Sequence, residues 1–182
     1  MRRLPPAADR AEAGTSIVEL VIVMLVLSTI MGALTTAFVE GTRSELDSNN
    51  RVRAQIDAGL ALDRLRKDAH CASAISPSGA SSSITLTVPS GCPTTGVTTI
   101  YWCALGSGTR YTLYRDTTAC TTSSKPYADY LTSSTVFNYT APVASTSLGT
   151  LNVDLQVNVR PATPTDLFEL RDNIVLRNTT RT

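Results

Sequence analysis

Lysine is almost missing from this 182-residue chain: fourteen of its sixteen cations are Arg, and only Lys67 and Lys125 are Lys. That bias reads as genomic composition. Sixteen cations stand against fifteen anions, so there is no surplus of either sign. A protein that binds nucleic acid electrostatically needs a basic surplus to neutralise phosphates, and this chain has none to bring to that task. Charged residues make up 17% and aromatics 5%, and the length suits one modest domain with an appendage rather than two full domains. Chemistry-bearing motifs are missing too. There is one histidine (His70), no Gly-x-Ser-x-Gly, no Gly-rich phosphate loop, no Asp-rich calcium loop and no Cys-x-x-Cys. With no marked nucleophile and no metal-ligand spacing, the expectation is a protein that is not an enzyme and carries neither cofactor nor metal, with His70 a solvated or packed helix-end residue. Asn138–Tyr139–Thr140 and Asn178–Thr179–Thr180 fit the glycosylation sequon and are read as coincidence.

Proline is absent between Pro6 and Pro77. Because proline is the strongest interior helix breaker, one long helix from about residue 16 to about residue 69 is allowed. Its first half is uniformly apolar: Leu20 to Val39 reads LVIVMLVLSTIMGALTTAFV, with no charge. Twenty helical residues rise about 30 Å, the hydrocarbon thickness of a bilayer, so this half reads as a membrane segment. A removable secretory signal is the competing reading, with Thr35–Thr36–Ala37 as its small-x-small cleavage site. Arg2, Arg3 and Arg10 before the run are matched by Arg43, Arg51 and Arg53 after it, so flanking charge leaves orientation open. Beyond the run, Ala58, Leu62, Leu65 and Ala69 form one helical stripe, and Val52, Ile56 and Leu60 a second on another face. Two stripes fit a helix that packs one face on its own sheet and offers the other to neighbours. Gly32, Gly41 and Gly59 are the points where such a helix would bend or melt.

The arbiter of the N-terminal reading is Glu19, a carboxylate at the edge of an apolar run where an unpaired charge is costly. It lies five residues after Gly14, in the stretch Gly14–Thr15–Ser16–Ile17–Val18–Glu19. This stretch resembles the processing site of type IV prepilins and pseudopilins. The resemblance implies that residues 1–14 are a leader cut off after Gly14 by a membrane prepilin peptidase, and that Thr15 becomes the N-methylated mature N-terminus. It implies that Glu19 pairs with the N-terminal amine of a neighbouring subunit. The family prefers Phe at the first mature position, where this chain has Thr15. Residues 15–39 are then the transmembrane and filament-core half of the helix, 40–70 its amphipathic half, and 71–182 a head domain. The partners implied are the prepilin peptidase, major and minor pilins met through the helix, and the cytoplasmic membrane. The head would be extracytoplasmic, and the assembled subunit part of a surface pilus or a pseudopilus.

The head should be an antiparallel sheet. Strand-like runs occupy Ile84–Val88, Val97–Cys103, Arg110–Arg115, Thr135–Tyr139, Leu151–Val159 and Phe168–Leu176, and Gly106–Ser107–Gly108 reads as a hairpin turn. The whole is expected to be α+β, a long helix against an antiparallel sheet in the lollipop architecture of pilins. The order of these runs, closing with Ile174–Val175–Leu176–Arg177–Asn178, most resembles W-type minor pilins and J-type pseudopilins of type II secretion and competence systems. That implies a minor, initiating subunit of a filament. A membrane-tethered adhesion or binding module is the alternative. Cys71, Cys92, Cys103 and Cys120 all follow the apolar run, and an even number outside the cytoplasm reads as two disulfides, against the alternative of free buried thiols. Four cysteines allow three pairings; Cys71–Cys92 and Cys103–Cys120, which join sequence neighbours, are the expected ones.

Overall fold

The computed structural model describes residues 16–89, 92, 96–143, 147–160 and 167–178. A single helix, α1 (Ile17–Cys71), is followed by nine strands: β1 (Ala74–Ser76), β2 (Gly79–Ser81), β3 (Ser83–Thr87), β4 (Thr99–Ser107), β5 (Arg110–Asp116), β6 (Lys125–Leu131), β7 (Phe137–Thr140), β8 (Thr150–Val157) and β9 (Phe168–Val175). The class is α+β, with a helix packed on an antiparallel sheet. Two compact units divide within the helix, between Leu46 and Asp47.

In the first unit every described residue from Ser16 to Leu46 is exposed. The helix here is long and apolar enough to cross a membrane. Its hydroxyl side chains fit that setting. Ser28, Thr29, Thr35, Thr36 and Thr42 each donate a hydrogen bond to a helix carbonyl three or four residues back, at 2.7–3.0 Å. A hydroxyl bonded to its own helix presents no unmet donor to an apolar medium. Helix α1 runs unbroken through Gly32, Gly41 and Gly59.

In the second unit the stripe of α1 joins the core. Ala54, Ala58, Ala61, Leu62, Leu65 and Ala69 are buried in one cluster with Trp102, Leu113, Phe137 and Leu155 from the strands. Four of these six are Ala, so Leu62 and Leu65 are the stripe's two large side chains. Full burial of each Leu contributes about 1.5–3 kcal/mol. The other stripe stays outside: Val52, Ile56 and Leu60 are more than half exposed.

The sheet runs β1-β3-β4-β5-β6-β8-β7-β2, with β9 on the remaining side of β8. Strand β8 is its keel. It pairs with β9 from Thr150↔Val175 to Val157↔Phe168, and on its other side with β7 and, at Leu131↔Val157, with β6. Leu151, Val153, Leu155 and Val157 are buried and alternate with the more exposed residues between them, as the sequence of this strand leads one to expect. Between β4 and β5 the chain turns at Gly108, whose φ of 65° suits the first central position of a tight hairpin turn. Gly106 is there for a different reason: a Cβ would run into the backbone of Arg110 and Tyr111.

Three strands escape a reading by periodicity. Three-residue β1 and β2 are too short to show any, and β2 falls in the Ser/Gly/Pro-rich stretch after Pro77. Strand β6 carries Pro126, which ordinarily argues against a strand. Proline is tolerated because β6 meets β8 only at Leu131, so around Pro126 it has a partner on the β5 side alone. Three expected C-terminal ends also move inward: β3 stops at Thr87 rather than Val88, β8 at Val157 rather than Val159, and β9 at Val175 rather than Leu176.

One carboxylate ties helix to sheet. Asp68 is 2% exposed. It accepts hydrogen bonds from Trp102 Nε1 on β4 (3.1 Å) and Arg115 Nε on β5 (2.6 Å), and Arg64 Nε lies 3.5 Å away. Outer ties add to it: Arg66 donates twice to Asp172 Oδ2 of β9, Arg160 to Asp47, and Asn178 Nδ2 to the His70 carbonyl. Removing one partner of a buried pair leaves the other charged and unpaired, so Asp68→Ala is expected to cost about 3–5 kcal/mol. Asp63→Ala, which removes an exposed partner of Arg66, is expected to cost no more than about 1 kcal/mol. Denaturant unfolding of both variants in detergent checks this; equal losses would contradict it.

Candidate functional site

Gly14 and Thr15, the expected cleavage and methylation positions, lie outside the described residues. Glu19 is in the first turn of α1 and exposed, and its backbone N–H donates to the Ser16 carbonyl at 2.9 Å. The uncharged run Leu20–Val39 follows it directly. Among the described residues, Glu19 is thus the one carboxylate in the first turn of an exposed apolar helix run.

The four cysteines sit in the second unit as two disulfides. Cys71, the last residue of α1, joins Cys92 with Cα atoms 5.9 Å apart, and Cys103 of β4 joins Cys120 at 6.1 Å. The first fastens the end of the helix to the chain beyond β3. The second fastens the loop between β5 and β6 to the neighbouring strand. No group of three or more His, Cys, Asp or Glu side chains suited to a metal occurs among the described residues. His70 is exposed near the helix end, and its backbone carbonyl holds Asn178.

A feature that sequence reasoning missed lies between α1 and strands β5 and β6. There the strand register slips: Tyr111 pairs with Leu131 but Leu113 with Ala128, so Asp129 and Tyr130 together oppose Thr112. This is a β-bulge, and bulges re-aim side chains. Ala128 and Leu131 are buried on either side, while both intervening residues stay partly exposed. Tyr130 takes φ = 63°, the only positive value at a non-glycine among the described residues. A bulky residue in this region is strained by about 1–3 kcal/mol and persists only where its surroundings hold it. Here they do. The Tyr130 N–H donates to Asp129 Oδ1 at 2.7 Å, and the Arg110 guanidinium lies 4.0 Å from the centre of the Tyr130 ring.

Asp129 also accepts from Thr112 Oγ1 at 2.8 Å and from Arg110 Nη2 at 2.7 Å. Burial is the largest single influence on its carboxyl and pushes the pKa up. The bonds from Arg110, Tyr130 and Thr112 together outweigh it and hold the group below its ordinary value. Beside the bulge opens a cleft of about 620 Å3 lined by Tyr114, Tyr127 and Tyr130, by Pro126, and by Asn50, Arg53 and Asp57 of α1.

No family model, curated protein or solved structure matches the chain. Its function has to be read from its own residues.

The loop that carries Cys120 is organised by Asp116 at the end of β5. Its Oδ2 accepts from Ser124 Oγ at 2.6 Å, and its Oδ1 from the backbone N–H groups of Thr117 and Thr118. The Ser124 bond, followed by those from Thr118 and Thr117, lowers its pKa to about 2. A carboxyl lowered by folding stabilises above its ordinary value and loses that contribution as pH falls through the folded value. The gap in thermal midpoint between the native chain and Asp116→Ala should thus be full at pH 5 and shrink towards pH 2. A gap of unchanged size across that range would contradict the assignment.

Proposed function

We propose that this chain is a structural, non-enzymatic subunit of a type IV pilus-like or secretion/competence filament, resembling minor pilins, and that it acts in starting such a filament. The observation that carries this reading is the exposed, uncharged helix run headed by the single carboxylate Glu19. An apolar surface of that extent requires lipid or other helices around it. A carboxylate at its edge costs free energy on insertion unless it is partnered, at most about 2.5–3.5 kcal/mol near a bilayer's centre. In a filament of like helices, the N-terminal amine of a neighbour supplies the partner, and both charges are compensated together. The peptidase that exposes such an amine would cut between Gly14 and Thr15. Before assembly the chain would sit in the cytoplasmic membrane by this one span, its disulfide-bonded sheet outside the cytoplasm.

The alternative, a membrane-tethered binding module, is favoured by one specific observation, the tyrosine-lined cleft beside the β5–β6 bulge. The two readings part at the N-terminus. Intact-mass analysis of the chain purified from membranes is expected to show a start at Thr15 with an added methyl group. Loss of a leader with three Arg, one Asp and one Glu would leave thirteen cations and thirteen anions, a formally neutral protein. Glu19→Ala is expected to leave the cut intact and reduce incorporation into filaments. A mass retaining residues 1–14, or a start after Ala37, would overturn the reading.

A further inference from the structure

We infer that the cleft between α1 and the β5–β6 bulge is a binding site for a neutral, polyhydroxylated ligand, a glycan. Its lining decides the chemistry. Three tyrosines, Tyr114, Tyr127 and Tyr130, together with Pro126, supply flat apolar surface of the kind against which the C–H faces of sugar rings pack. Hydrogen-bonding groups stand among them. Asn50 and the hydroxyls of Tyr114 and Tyr127 make no hydrogen bond to another described residue, so their capacity remains for a ligand.

The charges exclude other classes. Arg53 lies 4.0 Å from Asp57, and Asp129 is closed by Arg110, so each charge at the cleft has an opposite beside it. A polyanion would meet no unpaired cation. The Arg110 guanidinium lies 4.0 Å from the centre of the Tyr130 ring and the Lys125 ammonium 5.2 Å from that of Tyr127, so a cationic ligand would meet like charge there, whereas a neutral one would not. Neutral hydroxyls, which both donate and accept, suit amide, phenol and paired ions alike. The volume, about 620 Å3, falls in the range of ordinary small-molecule sites.

The strain at Tyr130 supports the same conclusion. A regular β6 would alternate Tyr130 to the side of Ala128, into the core; the bulge keeps Tyr130 and Asp129 both at the cleft. The backbone departs from its preferred region at the one residue that brings a third ring to the lining. This inference does not depend on the filament role: the cleft favours the tethered module, and a filament subunit is able to carry it too.

The sequence has a built-in reporter. Trp102 is the only tryptophan, and its ring centre lies 5.1 Å from that of Tyr127. The full chain in detergent micelles is to be titrated with three neutral hexasaccharides, cellohexaose, chitohexaose and maltohexaose, followed by tryptophan fluorescence. At least one is expected to give a saturable change, with a dissociation constant of about 10 mM or tighter. Tyr130→Gly removes the ring at a φ that glycine adopts freely, so the fold is kept; together with Asn50→Ala, on an exposed helix face, it is expected to weaken binding about tenfold. No saturable change with any of the three, tighter binding of heparin or choline, or unchanged affinity in a folded Tyr130→Gly variant would each overturn the inference.

Discussion

Helix α1 runs 55 residues without a break, and it has to satisfy two surroundings along that length. From Leu20 to Val39 it offers uncharged side chains all round, and up to Leu46 it buries none; from Ala54 onward it contributes one stripe to a core shared with the strands. Asp68 fixes which stripe that is. A buried carboxylate that receives Trp102 and Arg115 together is satisfied in one rotation of the helix, and a turn to either side leaves an uncompensated charge in the core. Strand β4 contributes the tryptophan and β5 the arginine, so the placement of the central hairpin follows from the same contact. The outer ion pairs at Asp172 and Asp47 lie on partly exposed groups, where such pairs contribute little alone.

The same hairpin positions the cleft. Its β5 strand carries Tyr114 and Thr112 on one side of the chain's bulge, and β6 answers with Asp129 and Tyr130. The bulge is held from several directions at once: Thr112, Arg110 and the backbone N–H of Tyr130 all converge on Asp129. Strain sustained by that many contacts is a feature of the site, and it costs about as much as two or three such hydrogen bonds return. The disulfide from Cys103 to Cys120 closes the loop leading from β5 into β6, which in the chain-entropy account stabilises by about 3 kcal/mol.

Much of the architecture was legible in the residues. Absence of proline and a charge-free run mark the helix, and clean alternation in LNVDLQVNV marks β8. Asp68 was visible in principle: it falls between Leu65 and Ala69 on the apolar stripe, and an acid in such a stripe announces a buried partner. The second stripe, Val52, Ile56 and Leu60, was readable as a stripe, but its exposure is a fact of tertiary packing. The bulge was not legible. A slip in strand register depends on which residues oppose one another, and KPYADYL with its proline offers no alternation from which to infer a strand at all. The tyrosines of the cleft are brought together from β5 and β6 only by that pairing.

In the proposed role, other helices of a filament cover the apolar half of α1, and this chain is a minor, initiating subunit. Quantitative mass spectrometry of filaments sheared from the cell surface tests it most directly. The chain is expected to be present and scarce, far below the principal filament protein. Its complete absence from the filaments, while abundant in the membrane, would contradict the filament role, and its dominance among their proteins would contradict the initiating one.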